Sequence, residues 1–174
     1  MKKLRLIQLL VILSSMILLL PSCEKDKNDN QSGAVVDLTF PADWEVINNF
    51  SDLIVLVGKS PAEGPNDDFL ENINVSRESA EGLTLESYYV ANLNAIETLY
   101  NYGFVFSTDT IINGLNSKKL IFTATINNID LEFMDFMFYV DGYGYVVTCT
   151  AREDTFGEYK SVFEQIAGTF TIVL

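Results

Sequence analysis

A series of apolar segments in the second half of this 174-residue chain limits the possible fold more than any other feature. The segments are 104–106, 118–126, 131–140 and 143–150. Asn127-Asn128 and Asp141-Gly142 separate the last three segments, and both dipeptides tolerate the positive φ angles that tight hairpin turns require. Three shorter strand-like segments lie upstream, at 36–40, 53–57 and 71–76. Consecutive hairpins of this kind predict a mainly antiparallel sheet.

Two segments have the periodicity of amphipathic helices. The first spans about 84–101, and the second spans about 155–167 and begins with the capping-box pattern Thr155-x-x-Glu158. Gly103 and Gly168 are placed to end them. The predicted buried faces are Leu85, Tyr89, Leu93, Ile96 and Tyr100 in the first helix, with Asn92, Asn94 and Glu97 outside, and Phe156, Tyr159, Phe163 and Ile166 in the second. The order of elements predicts an α+β fold with two main helices.

The first 23 residues have the order of parts of a bacterial lipoprotein signal. Lys2, Lys3 and Arg5 precede an apolar run, 6–20, and the run leads to Leu20-Pro21-Ser22-Cys23. Cleavage before Cys23 would make this cysteine the acylated N-terminus and anchor the protein to a membrane. An uncleaved anchor and an ordinary secretory signal remain alternatives, although the run is shorter than the roughly 20 residues of a membrane-spanning helix.

The predicted organisation has three parts: a signal peptide at 1–22, the lipidated cysteine and a flexible tether at 23–34, and a single domain at 35–174. The tether is polar and has no apolar periodicity, which is typical of a solvated spacer. Its acidic residues after the cysteine also resemble the surface-export signals of Bacteroidota lipoproteins. We therefore expect a lipid-anchored protein of the bacterial cell envelope, in the outer membrane and facing either the periplasm or the cell surface.

The mature chain is strongly acidic. Without residues 1–22 it keeps 8 Lys and Arg against 24 Asp and Glu, so its formal net charge is −16 rather than −13. Nucleic-acid binding depends on cationic neutralisation of phosphates, so this charge argues against a nucleic-acid partner. It also disfavours direct binding to anionic headgroups, which leaves the lipid as the membrane attachment.

Residue types exclude several catalytic and metal sites. The chain has no histidine, so Ser-His-Asp and Cys-His nucleophilic sites and histidine-containing zinc sites are excluded. If Cys23 is acylated, Cys149 has no disulfide partner in the chain, and its apolar surroundings in sequence indicate a buried, inert thiol. No pattern in the sequence indicates a cofactor.

An ordered series of short motifs resembles the PsbP-like domains. The motifs are Phe40-Pro41-x-x-Trp44, Glu71–Val75, Leu83–Tyr88, Ile112-Asn113-Gly114, Tyr145–Thr148, Phe156-x-x-Tyr159-x-x-x-Phe163-x-x-Ile166 and Thr169-Phe170. The resemblance covers about 36–170 and implies an α-β-α sandwich around an antiparallel sheet, as in photosystem II extrinsic subunits and a Ran-binding import factor. Family members are typically accessory or binding proteins. Their histidine metal contacts cannot be carried over to this chain, and no functional residue is transferred.

Three candidate sites follow from the residues themselves. The acidic loop residues Glu63, Asp67, Asp68 and Glu71, with Asn66, supply oxygen ligands of the kind that suit Ca²⁺, although a solvated loop is the alternative. Aromatic residues cluster around one hairpin, and Tyr139, Tyr143 and Tyr145 are the predicted partner surface. The carboxylate pairs Glu132 with Asp135, and Asp130 with Glu132, are candidates for a hydrolase.

These observations predict a non-catalytic accessory protein that binds another envelope protein. A module that binds a small ligand or a cation is the alternative, and a hydrolase is a remote one. Asp109-Thr110-Ile111 resembles a short O-glycosylation motif of Bacteroidota envelopes, which makes Thr110 a candidate modification site.

Overall fold

The computed structural model describes residues 35–173, which contain nine strands and two helices. The strands are β1 (Val35–Asp37), β2 (Glu45–Asn48), β3 (Ile54–Lys59), β4 (Asn72–Ser79), β5 (Gly103–Ile112), β6 (Leu115–Ile126), β7 (Ile129–Val140), β8 (Tyr143–Arg152) and β9 (Thr171–Val173). The helices are α1 (Leu85–Ile96) and α2 (Phe156–Ala167). This composition confirms the predicted α+β class.

Seven strands form one antiparallel sheet in the order β2-β3-β4-β8-β7-β6-β5, and β1 pairs with β9 in a small second sheet. Helix α1 packs on β6 and β7, whereas α2 packs on β7 and β8. Separate apolar clusters lie against the two helices, so they cover opposite faces. Helices on both faces of the sheet give the predicted α-β-α sandwich. Because helices cover both faces, β7 has buried residues on both faces, and its sequence is therefore an almost continuous apolar run.

The predicted hairpin turns are confirmed, and the structure adds a third one. Asn127 and Asn128 have φ angles of 53° and 64°, and Asp141 and Gly142 have 48° and 81°. Asn113 and Gly114, with 48° and 80°, join β5 to β6 in the same way. Left-handed conformations at both turn residues match the twist of the flanking strands, which explains the Asn, Asp and Gly residues there.

Helix α1 is shorter than predicted, and its buried face is confirmed only in part: Ile96 is buried, and Tyr89 and Leu93 pack against its cluster. It ends at Ile96, and Tyr100 is 73% exposed in the turn that follows. The most deeply buried residues are Tyr88, Asn92, Ala95 and Ile96, so the prediction that Asn92 points outward is wrong. Gly144 of β8 is the physical reason, because a Cβ there would overlap the Tyr88 ring. The missing side chain lets Tyr88 approach the sheet, and Asn92 follows one turn later, where its amide donates to the Tyr88 carbonyl oxygen at 2.9 Å.

The buried face of α2 is confirmed, but its capping box is wrong. Phe156, Phe163 and Ile166 are buried, and Tyr159 packs against their cluster. The Thr155 side chain makes no cap hydrogen bond and instead donates to Glu71 at 3.3 Å. A capping box is present at α1, where the hydroxyls of Thr84 and Ser87 each accept the other residue's backbone N–H. Gly168 follows α2 as predicted, with a right-handed φ of −62°.

Candidate functional site

The long edge strand β5 carries the largest exposed apolar side chains of the sheet. Phe104, Val105 and Phe106 are 60%, 51% and 48% exposed. Every residue from 104 to 109 is exposed, and since successive strand residues point to opposite faces, both faces of this segment are open. Tyr100 and Ile111 add further exposed apolar surface. We call these five residues the β5 edge surface.

Strand order explains the exposure of β5. The strand pairs with β6 on one side and ends the sheet on the other, so its outward backbone groups have no strand partner within residues 35–173. The pairing shifts register between Phe104 and Phe106, which marks a bulge. A bulge is one device by which proteins limit uncontrolled edge pairing, and here it places Phe104 and Phe106 on opposite faces, opposite Phe122 and Ile121 of β6.

The opposite edge of the sheet is short and polar at its end. Strand β2 has only four residues, and its first residue, Glu45, forms an ion pair of 3.8 Å with Lys59 on β3. Short, charged strands are poor templates for strand addition. The two edges of the sheet therefore differ in length and in apolar surface, and β5 is the longer and more apolar one.

The charge beside the β5 edge surface is negative. Lys118 lies between Asp109 of β5 and Glu86 of α1, with 2.6 Å from its Nζ to a carboxylate oxygen of each. Hydrogen bonds to Asp109 and then to Glu86 raise the pKa of Lys118, so it stays charged. Two carboxylates share this single cation, which leaves a net negative charge next to the strand.

The predicted tyrosine surface is divided between core and surface. Tyr145 is only 1% exposed and packs near Phe170 with ring centroids 6.3 Å apart, so it is a core residue and cannot be part of an exposed patch. Tyr139 is half-buried against the α1-side cluster. Tyr143 is 40% exposed, and the Arg77 guanidinium lies 4.7 Å from its ring centroid. The reason is the central position of β8, which sequence order alone does not reveal.

The four carboxylates of the predicted calcium loop point to different protein partners. Glu63 accepts from the Tyr159 hydroxyl at 2.5 Å, Asp67 accepts from the Glu63 and Phe69 amides, and Asp68 pairs with Arg152 at 2.6 Å. Residues 35–173 contain no group of three or more acidic or cysteine side chains arranged to hold a metal ion. These contacts tie the loop to α2 and β8, and the calcium prediction stays without support from the geometry.

Glu71 is the buried member of that loop. It accepts from the Ser60 and Thr155 hydroxyls, at 3.2 and 3.3 Å. Burial raises the pKa of Glu71, while its hydrogen bonds oppose the rise. Thr155 has φ −105° and ψ −11°, whereas an N-cap residue usually has an extended backbone, which accounts for the missing cap of α2 while its hydroxyl donates to Glu71.

Glu132 and Asp135, the first predicted carboxylate pair, do not form one site. Residues three apart on a strand point to opposite faces, and Glu132 interacts with Lys160 of α2 whereas Asp135 interacts with Tyr88 of α1. The sheet therefore separates Glu132 from Asp135. Asp130 shares a face with Glu132, since residues two apart on a strand point the same way, and it accepts from the Thr125 hydroxyl at 2.6 Å. A catalytic role for this second pair stays a prediction.

The remaining predicted positions have simple environments. Cys149 is fully buried, and burial raises its pKa well above the usual range, which confirms a thiol that is not activated. Thr110 is half-buried on β5, and its modification stays a prediction.

Cys23, the signal and the tether lie outside the described residues. Within 35–173 no helix is long and apolar enough to cross a membrane.

No protein-family model matches the chain, and no curated protein matches it in sequence. Solved structures do match. LpqN of Mycobacterium tuberculosis, which is involved in cell envelope biogenesis, has a TM-score of 0.66 at 13% identity, covering 83% of this chain and 87% of LpqN. Cyanobacterial PsbP (CyanoP) from Synechocystis sp. PCC 6803 has a TM-score of 0.55 at 13% identity, covering 85% and 98%. The chain has the PsbP-like fold.

A protein of unknown function from Pseudomonas aeruginosa shares this PsbP-like fold, with a TM-score of 0.57 at 17% identity over 78% of this chain and 96% of the other. Identities this low establish the common architecture alone. The function of this PsbP-like domain has to be argued from its own surfaces.

Proposed function

We propose that this protein is a lipid-anchored, non-catalytic accessory protein of the bacterial cell envelope that binds another envelope protein along β5. The observation that carries the proposal is the β5 edge surface, where aromatic side chains and outward backbone groups are exposed together. An extended segment that pairs with such an edge gains main-chain hydrogen bonds, and its side chains gain apolar contacts on both faces.

The charge of the chain supports a basic partner. The mature protein has a net charge of −16, and Lys118, which pairs with Asp109 of β5, is shared by two carboxylates. Complementary charge speeds association and selects among partners. The expected partner segment is therefore extended, carries apolar residues that meet Phe104 and Phe106, and has Lys or Arg at its flanks.

Two further observations support the envelope location and the non-catalytic role. The sequence pattern that ends at Cys23 is that of an acylated cysteine, and LpqN, a structural neighbour, is involved in cell envelope biogenesis. Glu132 and Asp135, one of the two carboxylate pairs that suggested a hydrolase, lie on opposite faces of the sheet, and the chain has no histidine.

Site-specific crosslinking in the native envelope tests the proposal. A photoreactive residue replaces Phe106 in the full chain, and in a matched protein it replaces Val46 on the short edge strand β2, which is similarly exposed. We expect a discrete crosslinked species with the photoreactive residue at 106 and none with it at 46. The yield of the species at 106 should fall at least tenfold in Phe104→Ser and should fall when salt is added. Equal crosslinking at both edges would contradict the proposal, and a species of twice the chain mass would mean that β5 pairs with a second copy.

A further inference from the structure

A row of three polar residues crosses the centre of the sheet on the face covered by α1. Asp135 of β7 pairs in register with Thr148 of β8, and Thr148 pairs with Asn74 of β4. Directly paired residues on adjacent strands have Cβ atoms about 5 Å apart and share a face. The three side chains are therefore immediate neighbours.

Further polar residues extend this row along β4 and β8. Asn72, Ser76 and Thr150 are buried on the same face. Apolar clusters lie on both sides of them, one beneath α1 and the other around Ile54 and Val57 of β3. A polar strip between two apolar clusters is costly unless its groups are all satisfied, because buried polar atoms lose their hydration.

One atom in this row has no hydrogen-bond partner. Asp135 is 3% exposed; it accepts a hydrogen bond from the Thr148 side chain, but its Oδ1 is buried and without a partner. An unsatisfied buried acceptor costs free energy that an ordinary structural carboxyl would not retain. Asp135 Oδ1 is therefore a hydrogen-bond acceptor for which residues 35–173 supply no donor.

Burial and the Thr148 hydrogen bond are the influences on the pKa of Asp135, and neither involves a cation among residues 35–173. Tyr88 of α1 interacts with Asp135, and the Tyr88 hydroxyl donates to Glu78 of β4 at 3.1 Å. Cys149 of β8 also interacts with Asp135. Lys119, which interacts with that cysteine, pairs with Glu164 of α2 on the opposite face at 2.6 Å. Burial raises the pKa of Asp135 to about 7, and the Thr148 hydrogen bond opposes the rise.

We propose that this row binds the ammonium group of a small primary amine, with Asp135 Oδ1 as its anionic acceptor and the neutral oxygens of Thr148 and Asn74 beside it. An ammonium group has three donors and one positive charge, which suits one carboxylate and two neutral oxygens. A calcium or zinc ion would need more anionic or cysteine ligands than this face has. The site is separate from β5, so it does not depend on the proposed function.

Thr148 is the most exposed of the three residues. It is half-buried, whereas Asp135 and Asn74 on either side are buried. Helix α1 packs on β6 and β7 and so approaches the row from the Asp135 side. In the proposed complex the amine would approach over Thr148, with its ammonium group at Asp135 Oδ1 and its alkyl portion on the Thr148 side.

Thermal unfolding of the full lipidated chain in detergent tests the site, with propylammonium as the probe and 1-propanol as the uncharged control of equal size. At pH 8, where Asp135 is mostly ionised, we expect propylammonium to raise Tm by about 4 °C at roughly ten times its Kd. Below pH 6 the rise should disappear because a protonated Asp135 no longer attracts a cation. 1-Propanol should give no rise at either pH.

Two variants separate the site from general attraction of cations to an acidic protein. Asp135→Asn should abolish the rise, whereas Asp130→Asn, which alters an exposed carboxyl on the same strand, should retain it. Each shift is measured against the same variant without amine, so a change in intrinsic stability does not affect the comparison. A rise that survives in Asp135→Asn, an equal rise with sodium ions, or no rise at pH 8 would each overturn the proposal.

Discussion

Asp135 is a carboxyl group whose burial makes the stability of the domain depend on pH. Its pKa is about 7 in the folded protein, against an ordinary value of 3.8. Between these two values the folded protein retains a proton that the unfolded chain has released. Stability is therefore greatest at low pH with respect to this group, and it falls as the pH rises toward 7.

Asp135→Asn should remove this part of the pH dependence. The free energy of unfolding of the natural protein is expected to lose up to about 4 kcal/mol between pH 4 and pH 7 from this residue, since each unit of pKa is worth about 1.4 kcal/mol. The free energy of unfolding of the variant should fall less between pH 4 and pH 7, and at pH 8 it should be higher than that of the natural protein. Urea unfolding at several pH values measures both, with Asp130→Asn as the control. A variant that loses as much as the natural protein would contradict this account.

At the scale of elements, each helix begins with a threonine that has a different role. Thr84 caps α1 with its side chain, whereas Thr155 precedes α2 but donates to the buried Glu71 carboxylate. The sequence pattern Thr-x-x-Glu predicts a cap at Thr155, but it does not reveal the helical backbone conformation of Thr155 or its contact with Glu71, 84 residues away. Tertiary contacts decide which threonine caps its helix.

Thr84→Ala should destabilise the domain by about 0.5–2 kcal/mol, the usual cost of a lost N-cap. Thr84→Ser keeps the oxygen that accepts the Ser87 amide and should stay within about 0.5 kcal/mol of the natural protein. Chemical denaturation measures both values. If the serine variant were as destabilised as the alanine variant, the methyl group of Thr84, and not its hydroxyl, would be the stabilising part.

Local patterns predicted the elements of this fold better than its surfaces. Hairpin turns at Asn127-Asn128 and Asp141-Gly142 and the buried face of α2 depend on neighbours in sequence, and the structure confirms them. The edge position of β5 and the burial of Tyr145 depend on the order of strands in the sheet. In that order β4 lies beside β8, although α1 and three strands separate them in the sequence. A continuous apolar run such as Phe104–Phe106 has the same sequence pattern in an edge strand as in a central strand, so the pattern does not predict the position of the strand in the sheet.

On the scale of the whole molecule, charge and lipid have separate roles. The net charge of −16 in the mature chain gives no attraction to anionic headgroups, so membrane binding should depend on the acyl chains at Cys23. The acidic surface would then be available for the proposed basic partner, and the proposed lipid would concentrate the domain at the membrane.

Cys23→Ser should abolish fatty-acid labelling and move the protein from the membrane fraction to the soluble one. Cys149→Ala is the matched control, since that thiol is buried in the core and should leave labelling unchanged. Metabolic labelling with a fatty acid, followed by fractionation of the cells, measures both. A Cys23→Ser protein that remains fully in the membrane fraction would favour the uncleaved anchor instead.

The small β1–β9 sheet has a consequence for the order of folding. Val35 pairs with Val173, so the first described strand is joined to the last. This pairing cannot form until the residues up to 173 have been synthesised, whereas the hairpins from β5 to β8 can form from neighbouring segments as they emerge. The strand that follows the tether is therefore among the last to be fixed, and the domain is closed by the segment nearest its proposed membrane anchor.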